Sequence, residues 1–186
     1  MSNVYVALLH HPVYNKHREI VTTSITGFDL HDIARSCATF GVKNYYVVNP
    51  LPTQREFVKR IFGFWMDDES LEFNWTRVEA FKLVKVAADL DEVIKNIEEK
   101  HGVKPKIIGT SAKPHSTVSS EALREEIEGE ESPYLVLFGT GWGISDELFG
   151  RMDAILPPIE GKTEYNHLSV RSATAIILYK LLGKGV

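Results

Sequence analysis

HDIARSCATFGVKNYYVVNP, residues 31–50, decides the fold. Ile33, Ala34, Cys37 and Phe40 recur at helical spacing after the candidate cap Asp29, and Gly41 stands where such a helix would stop. Tyr45 to Val48 then forms a short apolar run of β-branched and aromatic residues that ends at the turn signal Asn49-Pro50. Upstream, Val4 to Leu9 has the same character. Two buried strands joined by an amphipathic helix make a β-α-β unit, and that unit requires a parallel pair.

Working outward, Thr53 to Phe62 follows Pro52 and gathers Phe57, Val58, Ile61 and Phe62 on one helical side. The segment 62–77 mixes aromatics with acids and has no clean period, so it reads as mixed helix and loop. Trp65 and Trp75 could stack on bases there, although packing is the commoner use of such rings. Phe81 to Val86 reads as a strand, Leu90 to Ile97 as an amphipathic helix ending near Gly102, and Lys106 to Gly109 as a strand. Ser119 and Ser120 are caps for a short helix bearing Leu123 and Ile127, and Tyr134 to Phe138 is a further apolar strand. A short strand around Ala154 to Leu156 precedes a last helix, Leu168 to Leu182, that is apolar on most sides and so must be buried against something large. Strands alternating with helices predict a single α/β domain over 1–186, its mainly parallel sheet covered by helices on both faces.

Composition narrows the function classes. With 186 residues, 44% of them hydrophobic and 25% charged, the chain can bury one domain's core and is not expected to be disordered. The lone Cys37 cannot form an internal disulfide, and the start MSNVYVALLHH lacks a secretory pattern, so a cytoplasmic protein is expected. No apolar run approaches the about twenty residues needed to span a bilayer. A net charge of -4 argues against a strongly basic nucleic-acid binder. Local basic groups remain, at His10, His11, Lys16, His17 and Arg18 and at Arg55, Lys59 and Arg60, where an ordinary solvated face is an equally good reading.

In parallel sheets ligands bind beyond the carboxyl ends of the strands. Three segments after predicted strands are dense in glycine or proline: Gly109 to Ala112, Gly139-Thr-Gly-Trp-Gly143, and Leu156-Pro-Pro-Ile-Glu-Gly161. Such loops offer backbone N–H and C=O groups instead of charged side chains. A dinucleotide turn fits poorly, because the G-x-G-x-x-G spacing is absent and the segment lies late in the chain. A P-loop fails because no glycine turn ends in Gly-Lys-Ser/Thr. No metal-ligand set is expected.

In order and spacing these blocks resemble the motifs of SPOUT RNA methyltransferases, nearest to the SpoU/TrmH type that methylates ribose 2′-hydroxyls. Residues 31–50 look like that family's motif arginine with its Phe-Gly-Val, placing Arg35 at the arginine position. YLVLFGTGWGISDEL resembles its strand and glycine-rich loop, with Gly139 as the first glycine. ILPPIEGKTEYNHLSVRSATAIILYKLL resembles its Ile-Pro turn and apolar terminal helix, with Leu156 and Leu168 as cofactor-contacting aliphatics. The resemblance covers the two ends of the chain and leaves the middle unassigned. It implies a C-terminal trefoil knot, a homodimer, and S-adenosylmethionine (SAM) held largely by main-chain groups. The implied cofactor residues are Thr110, Ser111, Phe138, Gly139, Thr140, Gly141, Gly143, Leu156, Pro157, Ile159, Gly161, Asn166, Leu168 and Ser169.

The departures bear on mechanism. Asp29 stands where ribose-methylating members carry asparagine, His167 replaces a serine and Ser169 an asparagine, so a base nitrogen or oxygen stays open beside the ribose. The resemblance therefore implies a SAM-dependent methyltransferase of tRNA or rRNA in which Arg35 orients or deprotonates the acceptor, with Asp29 and His167 lining the pocket. Two other readings stand beside it: a catalytically inactive SAM- or RNA-binding domain, and a nucleotide-dependent oxidoreductase, which NAD(P) rather than SAM would stabilise.

Overall fold

The computed structural model describes residues 3–66, 68–113 and 115–184. The elements follow in the order β1 (Val4–Leu9), β2 (Val13–Tyr14), β3 (Ile20–Val21), α1 (Gly27–Thr39), β4 (Tyr45–Val48), α2 (Pro52–Trp65) and α3 (Asp68–Phe81). Then come β5 (Val84–Ala87), α4 (Leu90–His101), β6 (Lys106–Gly109), α5 (Ser120–Gly129), β7 (Tyr134–Gly139), α6 (Asp146–Phe149), β8 (Ala154–Ile155) and α7 (Val170–Leu182). Six strands form one sheet in the order β5-β4-β1-β7-β6-β8, with every pair parallel. β2 and β3 make a separate antiparallel hairpin.

The apolar runs are continuous because the sheet is covered twice. All six residues of β1 are fully buried, and alternate ones enter different cores. Val4, Val6 and Leu8 join Ile33 and Cys37 of α1 and Leu178 and Leu181 of α7, whereas Tyr5, Ala7 and Leu9 join Val93 and Ile97 of α4 and Leu148 of α6. Each fully buried aliphatic contributes about 1.5–3 kcal/mol relative to exposure. β1 is thus the strand the fold can least spare. α7 explains its own composition: it packs against both α1 and α5 and reaches β7, so little of its circumference meets water.

The local differences from the sequence reading have identifiable causes. The α1 cap is Thr26, whose Oγ1 accepts from Asp29 N–H at 3.2 Å while donating to Asp29 Oδ2 at 2.7 Å, so Asp29 is the acid of a capping pair inside the first turn. Phe81 ends a helix instead of opening a strand, since its fully buried ring faces Trp65 and His31. The aromatic segment is helical on both sides of Asp67, which lies outside the described residues, and a kink at Asn74 (φ -153°, ψ 67°) hides its period. Trp65 packs, as the commoner use of such rings predicts; Trp75 is exposed.

Candidate active site

A cleft of about 1350 Å³ opens at the carboxyl ends of β6 and β7 and runs to the start of α7. Its position follows from topology, because the strands leading out from β1 through β4 to β5 run one way across the sheet and β7, β6 and β8 lie on the other side. At such a change of direction the loops diverge and leave a crevice. Of the residues anticipated from sequence, Thr110, Ser111, Phe138, Gly139, Thr140, Gly141, Gly143, Pro157, Ile159, Asn166, Leu168 and Ser169 line it. Asp29 and His167 line it too.

The glycine loop is shaped by the β2–β3 hairpin. Gly141 (φ 59°) and Gly143 (φ 101°) occupy the left-handed region, which costs an L side chain about 1–2 kcal/mol. Trp142 N–H donates to Tyr14 O at 2.8 Å, Tyr14 N–H donates to Gly143 O at 2.9 Å, and Ser145 N–H donates to Pro12 O at 3.1 Å. A Cβ on Gly141 would stand 2.8 Å from Tyr14 O. Glycine is required there by a close backbone approach as well as by its φ.

Beneath the loop runs a chain of hydroxyls. Thr140 Oγ1 donates to Leu9 O at 3.0 Å, so its proton is committed. In the 2.5 Å contact between Thr23 Oγ1 and Thr140 Oγ1, Thr23 is therefore the donor. His10 Nδ1, 3.0 Å from Thr23 Oγ1, must then carry the proton of that contact, which fixes the tautomer from the network. Among the described residues Nε2 is left a bare acceptor without a partner, in a fully buried residue. Burial pushes the His10 pKa down to about 4, with Asp29 pulling weakly the other way. Cys37, on the buried face of α1, has its thiol pushed up by the same desolvation and is inert.

Asp29 is also spoken for. Arg171 Nη1 donates to its Oδ1 at 3.1 Å, and the same guanidinium reaches Asp32 at 3.4 Å, tying the first turn of α1 to that of α7. The Asp29 carboxylate is only 9% exposed, so truncating its partner leaves a poorly solvated charge. Arg171→Ala is expected to lower stability by about 1–2 kcal/mol in denaturant unfolding, the partial exposure of Arg171 discounting a fully buried pair. The Arg171→Ala/Asp29→Asn double variant should recover part of that loss.

A family model described as SAM-dependent RNA methyltransferase matches residues 3–183. The chain belongs to that family.

Relatives and folds agree. An uncharacterized protein of Aquifex aeolicus (strain VF5) is 43% identical over 184 residues, covering 98% of this chain and 90% of its own. A tRNA (guanine-N(1)-)-methyltransferase of Oleidesulfovibrio alaskensis is 39% identical over 181 residues, which is 97% of this methyltransferase but 42% of the relative. More than half of that relative lies beyond the match, so its name describes a longer protein. The SpoU methyltransferase AviRb from Streptomyces viridochromogenes, solved in complex with AdoMet, shares the fold with a TM-score of 0.60 at 16% identity, over 98% of this chain and 58% of that one. The fold that the SpoU-type resemblance implied is thereby shared, and SAM is the family's cofactor.

The cleft suits SAM. Its volume exceeds what most single small-molecule sites need, leaving room for a second reactant. Among the described residues the amides of Gly141, Ile159 and Leu168 make no intramolecular hydrogen bond, so main-chain donors stand free along its walls. Phe138, Ile159, Leu168 and Ile177 supply apolar lining.

Three anticipated residues stand elsewhere. Leu156 is 1% exposed in the core and does not line the cleft, because the anticipated turn opens only at Pro157. Gly161 is exposed and also outside the lining. Arg35 projects from the exposed side of α1 into a separate groove of about 480 Å³ shared with Phe40, Arg171 and Ala175. Ser169 borders both groove and cleft. Sequence reasoning missed Thr23, Thr26, Trp142 and Lys113, all of which line the cleft. The first two sit in the short linker from β3 to α1, with no periodicity to read, whereas Trp142 was visible within the glycine loop.

Proposed function

We propose that this methyltransferase transfers the methyl group of SAM to a tRNA or rRNA nucleotide, at a ribose 2′-hydroxyl or at a base nitrogen or oxygen, in the cytoplasm. The observation that carries this is the convergence of all three strand-end loops on one cleft with free main-chain donors. Bound SAM supplies an electrophilic methyl group on a sulfonium. The chain's own part is to align the acceptor in line with that methyl and remove its proton, leaving S-adenosylhomocysteine as the second product. His167 lines the cleft with its ring held edge-on by Tyr165 at 5.7 Å, and its imidazole is the group able to receive the proton. Asp29, held by Thr26 and Arg171, shapes the acceptor side.

Arg35 is proposed to act from a second copy. The α1–α7 surface that carries it also exposes Phe28 and Tyr179, a suitable face for a homodimer that would bring one protomer's Arg35 toward its partner's cleft. A trefoil knot is proposed as well, supported by α7: it follows the edge strand β8 yet packs between α1 and α5 against the central strand β7. The position of Arg35 outside its own cleft favours one rival, a domain that binds SAM or RNA without catalysis.

Labelled SAM incubated with total unmodified RNA separates the two. Incorporation of label that is lost in Arg35→Ala, with SAM affinity within about twofold of wild type, supports the proposal; SAM and RNA binding with no incorporation supports the silent domain. Equal turnover in Arg35→Ala removes that residue from the mechanism.

A further inference from the structure

Trp142 is 65% exposed at the mouth of the cleft it helps to line. An indole at the rim of a binding site offers a large, rigid, amphipathic face, which is why tryptophan is enriched where proteins meet their ligands. Among the described residues its indole meets no other ring and no cation, and its Nε1–H makes no hydrogen bond. The backbone beneath the ring is nonetheless fixed, by the hydrogen bonds to Tyr14 on the hairpin and by the two left-handed glycines on either side. A rigidly mounted, unpartnered aromatic face loses little conformational freedom when something stacks on it.

The charge around it points to the occupant. The hairpin turn next to Tyr14 carries Lys16 and His17, both exposed, and Lys113 and His115 line the cleft. Arg18 is already committed, to Asp146 at 2.8 Å and over the Tyr14 ring at 4.8 Å, and so serves to brace the hairpin. Among the described residues neither Lys16 nor Lys113 is in an ion pair, and lysines on the hairpin that holds the ring and on the cleft wall match the alternation of phosphate and base in single-stranded nucleic acid.

We infer that Trp142 is a stacking platform for an unpaired RNA base at or beside the methylated nucleotide, with the Lys16–His17 turn and Lys113 contacting its phosphates. The inference rests on the RNA methyltransferase reading and adds how the acceptor is held. It requires the target to be single-stranded or splayed out, because a paired base has no free face for the indole.

The test uses Trp142→Ala and Trp142→Phe in the full chain, with circular dichroism confirming the fold. Binding is measured to pooled transcribed tRNA, to a single-stranded oligoribonucleotide and to a blunt RNA duplex, and separately to SAM. Alanine is expected to weaken binding to tRNA and the oligoribonucleotide by about 10- to 100-fold, with phenylalanine restoring most of it and SAM affinity unchanged. The duplex, already weaker for wild type, should be little affected. A loss confined to SAM would mean that the ring stacks on the cofactor's adenine and would overturn the inference, as would unchanged affinities in both variants. If wild-type protein binds SAM but no RNA, the broader reading fails; if wild type binds and methylates RNA and Trp142→Ala does so equally well, only the platform fails.

Discussion

Gly141→Ala is expected to cost this protein most of its activity, about 100-fold in methyl transfer, while leaving it folded. Two separate effects act at one Cβ. The left-handed backbone (φ 59°) disfavours alanine, and the new methyl would stand 2.8 Å from Tyr14 O, a backbone atom that cannot rotate away. Either the loop or the hairpin must move, and the hydrogen bonds between Trp142, Gly143 and Tyr14 are what such a movement stretches. The free amide of Gly141 and the ring of Trp142 move with them, so SAM and RNA affinity should both fall, SAM by at least about tenfold. Small displacements of positioning groups routinely produce such losses. Thermal unfolding should drop by only a few degrees, because the hairpin lies outside both cores. Gly150→Ala, where a Cβ meets nothing within 4 Å and φ is -66°, is the control and should behave as wild type. Equal SAM affinity in Gly141→Ala and Gly150→Ala would mean that the loop does not hold the cofactor.

The contrast between those two glycines shows what a sequence can and cannot reveal. That the glycine loop follows a central strand was legible, because Tyr134 to Phe138 is an unbroken apolar run and buried parallel strands need no polar alternation. That Gly141 in particular faces a carbonyl was not. The partner is Tyr14, 127 positions away in a two-residue strand too short to register as a pattern. Thr23 was missed for the same reason: its role comes from contacts with His10 and Thr140 across elements, and nothing in its neighbours signals it.

Arg35 shows the opposite limit. Motif position alone placed it at the site, and helical geometry explains why it is not in the same chain's cleft. Ile33, Ala34 and Cys37 must face the sheet, so Arg35, a hundred degrees or so farther round the helix at each step, is turned outward. Arg171 reaches the buried carboxylate from α7 instead, and its pairing with Asp29 across 142 positions has no sequence-local signal. Where the reading depended on period, as for α1, α4 and α7, it located the elements within a turn. Where it depended on tertiary partners, as for Phe81 and Leu156, packing decided otherwise.

Between pH 6.5 and 4 the protonation of His10 alone should cost the protein about 3 kcal/mol of stability, over and above what protonation of its carboxylates removes. The sign follows from the direction of the shift. The folded pKa, near 4, lies below the unfolded value of 6.5, so between these pH values the unfolded chain binds a proton that the folded chain refuses. Stability from this residue is therefore complete above about pH 6.5 and falls as pH decreases through the window. The structural cause is that the tautomer has Nδ1–H committed to Thr23, so the added proton must go to Nε2, which is buried without an acceptor, and the nearby Asp29 carboxylate is already engaged by Thr26 and Arg171. His10→Asn isolates the effect: its amide nitrogen can still donate to Thr23 Oγ1, but it cannot titrate. The variant should be less stable at pH 7.5, from the lost ring volume, yet its stability should fall less between pH 6.5 and 4.5 than that of wild type in urea unfolding. Parallel pH profiles for the two proteins would mean that His10 takes up its proton at the same pH folded and unfolded, so that the burial of Nε2 carries no penalty.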